Sequence, residues 1–479
     1  MISNNKTFPR QKTWRCIGQQ LILLIAGALM FSACDKFVEV DPPKNQLSTE
    51  KVFRDSLSAT SAILGIYSSM LSGAGSGYGK LPLLTGMYSD EFNTNLTSID
   101  FLTNTILVDN SDNATVWQFH YTNIYNANAI IEGLTMSKGI STAAKNQLLG
   151  EARLIRAWSY FHLVNLWGEV PLVLTTDYQV NARMPRTGKD SVINQVIEDL
   201  LLAKDLLVEA YINAEKTRPN KSVATALLAR VYLYKKEWSK AEIQAQEIIS
   251  SQQYTPLPAL ADAFLKGSKE TIWQLAAVNP SWNTPEGNTM IPSSATIVPF
   301  YSITDTLYAA FEATDQRKIA WLGSNLRAGK RYYYANKYKV RVTSGGSAPT
   351  EYPIIVRMAE IYLIHAEASA QQDKRDQAVT DLNIIRLRAG LTGISGTPNQ
   401  AALLAAVEQE RRVELFAEAG HRWFDLRRTP SLTTPGLSRA DDLLSIYKSR
   451  FWEPTDTLWP IPNAQRLVNN ALSQNQGYN

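Results

Sequence analysis

The apolar positions along this chain fall mostly at helical spacing. The clearest case is residues 143–167, where Leu148, Leu149, Ala152, Ile155, Trp158, Tyr160, Phe161, Leu163, Val164 and Leu166 cover most of a helical circumference. Such a helix has no face left for water and belongs deep in a core. Gly168 and Pro171 then end it. A helix is also expected from Thr49 to Leu71, on Phe53, Leu57, Ala62, Ile63, Ile66, Tyr67 and Met70, and another from Asp190 to Ile212. Between the first two of these, SGAGSGYGK (72–80) reads as a loop. It is not a phosphate loop, because no strand precedes it and Leu81-Pro82 follow Lys80 where Ser or Thr and a helix are required.

Residues 221–251 predict a helical hairpin. Ala229, Tyr232 and Ala241 stand in the 0, +3, +12 relation of tetratricopeptide repeats, in which small residues let two antiparallel helices approach and the Tyr fills the gap above them. Ser239 and Glu242 have the spacing of a capping box at the second helix start. A looser copy recurs at 357–388, with Ala366 and Ala378 again twelve apart and Ser369 in place of the Tyr. The wide interval between the copies argues for repeat-like pairs rather than a regular solenoid. That interval breaks the helical pattern. From Trp273 to Tyr338 there are eleven Trp, Tyr or Phe residues, and Pro280, Pro285, Pro292 and Pro299 forbid a long helix. Rings on irregular loops are candidates for ligand contact.

The N-terminus has a different character. Lys6, Arg10, Lys12 and Arg15 precede an unbroken apolar run, Leu21 to Phe31, about half of the roughly 20 residues a membrane-spanning helix needs. This pattern predicts an export signal over residues 1–33. Phe31-Ser32-Ala33-Cys34 resembles the lipobox of bacterial lipoproteins, in which Cys34 would be lipidated and become the new N-terminus. Residues 34–48, with Pro42 and Pro43, then read as an extended, lipidated tether. The four N-terminal charges account for the whole net charge of +4, since 48 − 4 leaves 44 basic against 44 acidic residues. A neutral body offers no electrostatic footprint for nucleic acid. Cys16 and Cys34 are the only cysteines, so mature disulfides and cysteine-based metal sites are excluded.

No constellation for catalysis emerges. The four histidines, His120, His162, His365 and His421, include no i, i+4 pair, and no zinc-hydrolase motif or nucleophile elbow is present. His162 and His365 sit within apolar helices and read as core residues. Carboxylates such as Asp90, Glu91 and Asp315 exist, but spacing alone does not set two of them across a cleft. The segment ERRVELFAEAGHRWFDLRR (410–428) is dense in Arg and Glu beside Trp423 and Phe424. It predicts a partly buried ion-pair network, with Glu410 and Glu414 pairing to Arg411, Arg412 or Arg422.

Several segments together resemble the SusD/RagB family of outer-membrane nutrient-binding lipoproteins of Bacteroidetes-type bacteria. They are the lipobox and tether, EARLIRAWSYFHLVNLWGEVPLV (151–173), RMAEIYLIHAEASA (357–370), LNIIRLRAG (382–390), the 410–428 segment and LWPIPNAQRLVNNALSQNQGY (458–478). The resemblance implies a mainly α fold, with tetratricopeptide-like helix pairs as a platform and an irregular, loop-rich ligand-binding half. In those terms residues 49–270 form the N-terminal helical region and 271–479 the C-terminal region, with aromatic-rich loops at 271–350. It further implies a cell-surface protein that binds a glycan, or in one branch peptides, and caps a SusC-type TonB-dependent transporter without being an enzyme. No cofactor is expected, and no residue is assigned as a metal ligand. Glycan capture needs flat rings against sugar faces and polar groups for hydroxyls. On that logic Tyr78, Tyr88, Trp282, Trp321, Tyr333 and Tyr334 are the expected ligand-contacting rings, with Asp90 and Asn93 as polar partners. The other readings of the same chain are capture of a different nutrient, a secreted glycoside hydrolase and an adaptor that binds only proteins.

Overall fold

In the computed structural model the described residues are Met1, Ser3, 52–71, 76–279, 281–343 and 347–478. The export signal, Cys34 and the tether therefore lie outside them. The chain divides into a unit of residues 1–51 and a second unit, Val52–Asn479, which runs without a break across position 270.

The second unit is built mainly from helices: α1 (Ser56–Met70), α2 (Gly77–Tyr88), α3 (Ser111–Met136), α4 (Thr142–Trp167), α5 (Lys189–Leu206), α6 (Lys221–Tyr234) and α7 (Trp238–Ser251), then α8 (Pro285–Met290) and α9 (Asp305–Ala310), then α10 (Met358–Gln371), α11 (Arg375–Arg388), α12 (Gln400–Glu414), α13 (His421–Arg428), α14 (Arg439–Tyr447) and α15 (Asn463–Val468). Six short strands accompany these helices among the described residues: β1 (Phe92–Thr94), β2 (Thr271–Gln274), β3 (Tyr301–Ile303), β4 (Leu322–Arg327), β5 (Lys330–Ala335) and β6 (Ile354–Arg357). They pair antiparallel as β1–β3, β2–β6 and β4–β5.

Helix α4 behaves as its pattern predicts. It runs to Trp167, is buried on nearly every side, and packs between α3 and α5. Gly168 closes it with φ 74°, a conformation that favours glycine. Helix α5 stops at Leu206, short of the expected Ile212, where Leu207 turns to extended backbone.

Both predicted hairpins form, as α6–α7 and α10–α11. Ala229, Ala241 and Tyr232 are all buried, and Ala366 and Ala378 are likewise buried in the second pair. What the chain order hides is that the two hairpins are neighbours, because α7 packs directly on α10. Arg230 clamps the junction, donating to both carboxylate oxygens of Glu360 at 2.6 Å and to the Ile355 carbonyl at 3.1 Å, all buried. The whole aromatic segment is thus an excursion between two adjacent helical pairs. The expected capping box does not form. Helix α7 begins at Trp238, which leaves Ser239 inside its first turn, and Glu242 instead accepts from Gln372 across the hairpin junction at 2.8 Å.

Two further expectations need correction. Residues 77–80 are not loop but the first turn of α2, which Ser76 caps by accepting from the Gly79 amide. Its glycines and Pro82 are poor helix formers. Burial of every residue of α2 except Lys80 overrides that preference. The pairings within 410–428 also differ. Glu410 accepts from Arg317 and Arg386, and Glu414 accepts from Arg317, Arg357 and Arg388, all arriving from distant segments. Arg317, fully buried, additionally grips Asp315 at 2.8 and 2.9 Å. On the other face Arg411 meets Asp425 at 2.7 Å, and Arg428 bridges Asp425 and Glu367. The predicted network exists, but its function is to bolt α12 and α13 to the excursion and to the second hairpin.

Candidate functional site

A concavity that includes expected site residues begins where α2 runs into β1. Asp90 is buried there and accepts from Arg412 at 2.6 Å and from Arg422 at 2.7 and 3.1 Å. Burial alone would raise its pKa, but the two guanidiniums hold it at about 2. Its backbone carbonyl accepts from the Thr304 hydroxyl, which ties β1 to the start of α9. Asn93, three residues on, is exposed and opposite Ser302 in the β1–β3 ladder. Both line an open cleft of about 500 Å³ together with Thr103, Thr306, Tyr447 and Phe451. Tyr447 and Phe451 are 40% and 39% exposed, so each presents ring surface to the cleft and to solvent.

A second cleft of about 580 Å³ adjoins the first and shares Phe451. Its walls are the 104–109 loop and the turn after α14, and it adds Asp109, Arg450, Glu453, Asp456 and Tyr478. Arg450 lies over the Phe451 ring at 4.9 Å. Asp456 is pushed up to about 6 by burial, with the Glu453 charge beside it adding to the effect. Lys448 holds the two walls together, donating to the carbonyls of Met87 at 2.7 Å and Leu102 at 2.8 Å. Burial lowers its pKa to about 8. The resulting groove is floored by fixed ion pairs and rimmed by rings, hydroxyls, an amide and a few acids. That arrangement suits holding a polyhydroxylated ligand. Among the described residues no group of three or more His, Cys, Asp or Glu could hold a metal ion.

The remaining expected contacts lie elsewhere. Tyr78 and Tyr88 are buried in α2, not on loops. The Tyr88 hydroxyl donates to the Asp456 carbonyl at 2.7 Å and its ring abuts Trp423 edge-on at 4.7 Å. Trp282 is 6% exposed. Trp321 is fully buried, donates to the Leu260 carbonyl at 2.9 Å, and lies under the Lys337 ammonium at 4.8 Å. All four rings are buried, Tyr78 and Tyr88 within α2 and Trp282 and Trp321 within the excursion, so none offers a free face for stacking. Tyr333 and Tyr334 are half-exposed on β5. Tyr333 already stacks on Tyr308 at 4.1 Å, and Tyr334 lies over Gly323, where a Cβ would come within 2.2 Å of its ring. Strand β5 packs beside β3, so this tyrosine strip adjoins the sheet that carries Asn93. The structure thus brings Asp90 and Asn93 together, and it adds Tyr447 and Phe451, which sequence reasoning missed. Their only signal was two aromatics beside the basic pair Lys448 and Arg450 in an otherwise ordinary C-terminal stretch.

Comparison with known proteins fits this architecture. A family model described as starch-binding, associating with outer membrane, matches residues 36–233, and the model of the SusD family matches 320–478. This chain belongs to the SusD/RagB family. A SusD-like protein, P25, of Formosa agariphila is 24% identical over 95% of this chain and 98% of its own length. A SusD-like protein of Bacteroides ovatus is 30% identical over 46% of this chain and 40% of its own. Among solved structures, a SusD superfamily protein from Parabacteroides distasonis superposes with a TM-score of 0.76 at 22% identity, covering 90% of this chain and all of that one. A laminarin-binding SusD-like protein superposes with a TM-score of 0.73 at 23% identity, covering 89% and 100%. The family is associated with the outer membrane, and no helix among the described residues of this member is long and apolar enough to cross a membrane.

Proposed function

We propose that this SusD/RagB protein is a lipoprotein anchored through Cys34 to the outer face of the outer membrane, where it captures an oligo- or polysaccharide in the groove beside α14 and passes it unaltered to a SusC-type TonB-dependent transporter. The observation that carries this reading is the groove itself. Two partly exposed rings, Tyr447 and Phe451, stand among the hydrogen-bonding side chains of Thr103, Thr306 and Asn93. Flat apolar faces flanked by hydrogen-bonding groups match the two faces and the equatorial hydroxyls of a pyranose ring. The laminarin binding of one structural neighbour points the same way.

Affinity electrophoresis and calorimetry over a glycan panel test the capture. Tyr447→Ala and Phe451→Ala are each expected to cost about 1–3 kcal/mol of glycan affinity, the range for one aromatic stacking platform. Full affinity in both variants would remove the groove from the assignment, and preferential competition by a peptide pool would move the ligand class from glycan to peptide. Cys34→Ser is expected to abolish palmitate labelling and release the protein from the membrane fraction. Recovery of the native complex without a large β-barrel would refute the handover.

A further inference from the structure

A third concavity lies away from the groove and shares no residue with it. It is formed by the middle of α3, the connection after α4 and the C-terminal helix α15, and has a volume of about 400 Å³. Trp117 and Tyr121 line it from α3, the latter fixed by its hydroxyl donating to the Pro171 carbonyl at 2.9 Å. Tyr125 and Tyr178 stand at its mouth, 53% and 75% exposed. Asn181 contributes a side-chain oxygen that is buried and without a partner, while its amide nitrogen donates to the Thr175 carbonyl at 2.8 Å. Gln465 supplies a further amide from α15. No Asp, Glu, Lys, Arg or His lines this cleft.

We infer that this cleft is a second saccharide subsite, specific for uncharged sugars. The inference rests on the glycan reading given above. No charged residue of the lining would meet an anionic ligand, and a purely apolar one would forgo the Gln465 amide at the rim. An uncharged sugar satisfies both conditions. Its hydroxyls pair with the Gln465 amide, and its apolar face lies on the exposed phenol rings. Two subsites on one protein hold a long chain more tightly than either alone, through effective concentration.

The test is affinity electrophoresis of the full mature protein against neutral polysaccharides (laminarin, starch, xylan and galactomannan) and anionic ones (alginate and polygalacturonate). Three proteins are compared: wild type, Tyr125→Ala/Tyr178→Ala, and Tyr447→Ala/Phe451→Ala. Because Tyr125 and Tyr178 are exposed, their loss leaves the core intact. The expected result is that a neutral polysaccharide retards the wild type and that the Tyr125→Ala/Tyr178→Ala pair weakens its binding about tenfold, the scale of one lost stacking platform. Unchanged retardation in that pair, with loss only in the groove pair, overturns the second subsite and leaves the groove standing. Retardation by the anionic polysaccharides alone overturns the second subsite and leaves the groove standing, and retardation by none of the six overturns both. Unchanged glycan binding together with loss of a protein partner from outer membranes would assign this surface to a protein and overturn the inference.

Discussion

The segment 410–428 and the excursion at 271–350 make an instructive pair. The first is the most densely charged stretch of the chain and the second is the richest in rings, so surface chemistry would place charges outside and treat loop aromatics as bait for ligands. The molecule does otherwise. Glu410, Glu414, Arg411 and Arg422 are all buried; Glu410, Glu414 and Arg422 take partners from other segments, and Arg411 takes Asp425 of its own. Trp273, Trp282 and Trp321 are buried too, Trp273 and Trp321 within the core. The two segments share one task, because Arg317 and Arg357 of the excursion and its border reach the carboxylates of α12. The exposed rings of the groove come from a quieter stretch, the end of α14 and the turn after it.

The largest effects should come from breaking this joint. Arg317→Met leaves Asp315, Glu410 and Glu414 buried with fewer partners and is expected to cost about 3–5 kcal/mol of stability in urea unfolding. Trp321→Ala should cost a similar amount, about 3–5 kcal/mol, through the cavity it opens, and should leave glycan affinity of the folded fraction unchanged. A loss of affinity without a loss of stability in Trp321→Ala would return that ring to the ligand site. In the groove the ordering reverses. Phe451→Ala should cost about 1–3 kcal/mol of binding while shifting stability by far less, since its ring is already partly in water.

The smallest signal is a slope. Asp90 and Glu418 are held at about 2 by their arginine and lysine partners, against ordinary values of 3.8 and 4.5. Their contribution is complete above the ordinary values and is lost as the pH falls toward 2. Glu91 and Glu286 do the opposite. Burial raises them to about 8 and about 7, so the folded protein keeps their protons and stability declines as the pH rises from 4.5 through those values. Urea midpoints against pH should therefore peak in the mildly acidic range, and Glu91→Gln should flatten the upper limb. An unchanged upper limb in that variant would show Glu91 to be ionised in the folded state.

The helical platform was legible because burial on every side leaves a dense apolar pattern, as in 143–167, and because paired small residues twelve apart mark close helix contacts. Helix α2 was not, since its glycines and Pro82 carry a loop signal that only tertiary burial reverses. The ion pairs of 410–428 were foreseen in kind but not in partner, because Arg317, Arg357 and Arg388 are remote in sequence. The site was least legible. Whether a ring is bait or lid depends on which side of a loop faces the core, and periodicity is silent where the backbone is irregular.

The adjacency of α7 and α10 has a consequence for how the chain assembles. While the polypeptide is being delivered, the face of α7 that meets α10 has no cover until Met358 and the residues after it arrive. Arg230 likewise waits for Glu360. Closing so distant a contact is slow, and the waiting surface is sticky. A chain cut short before position 358 should therefore associate with chaperones or be degraded, rather than persist as a stable amino-terminal half.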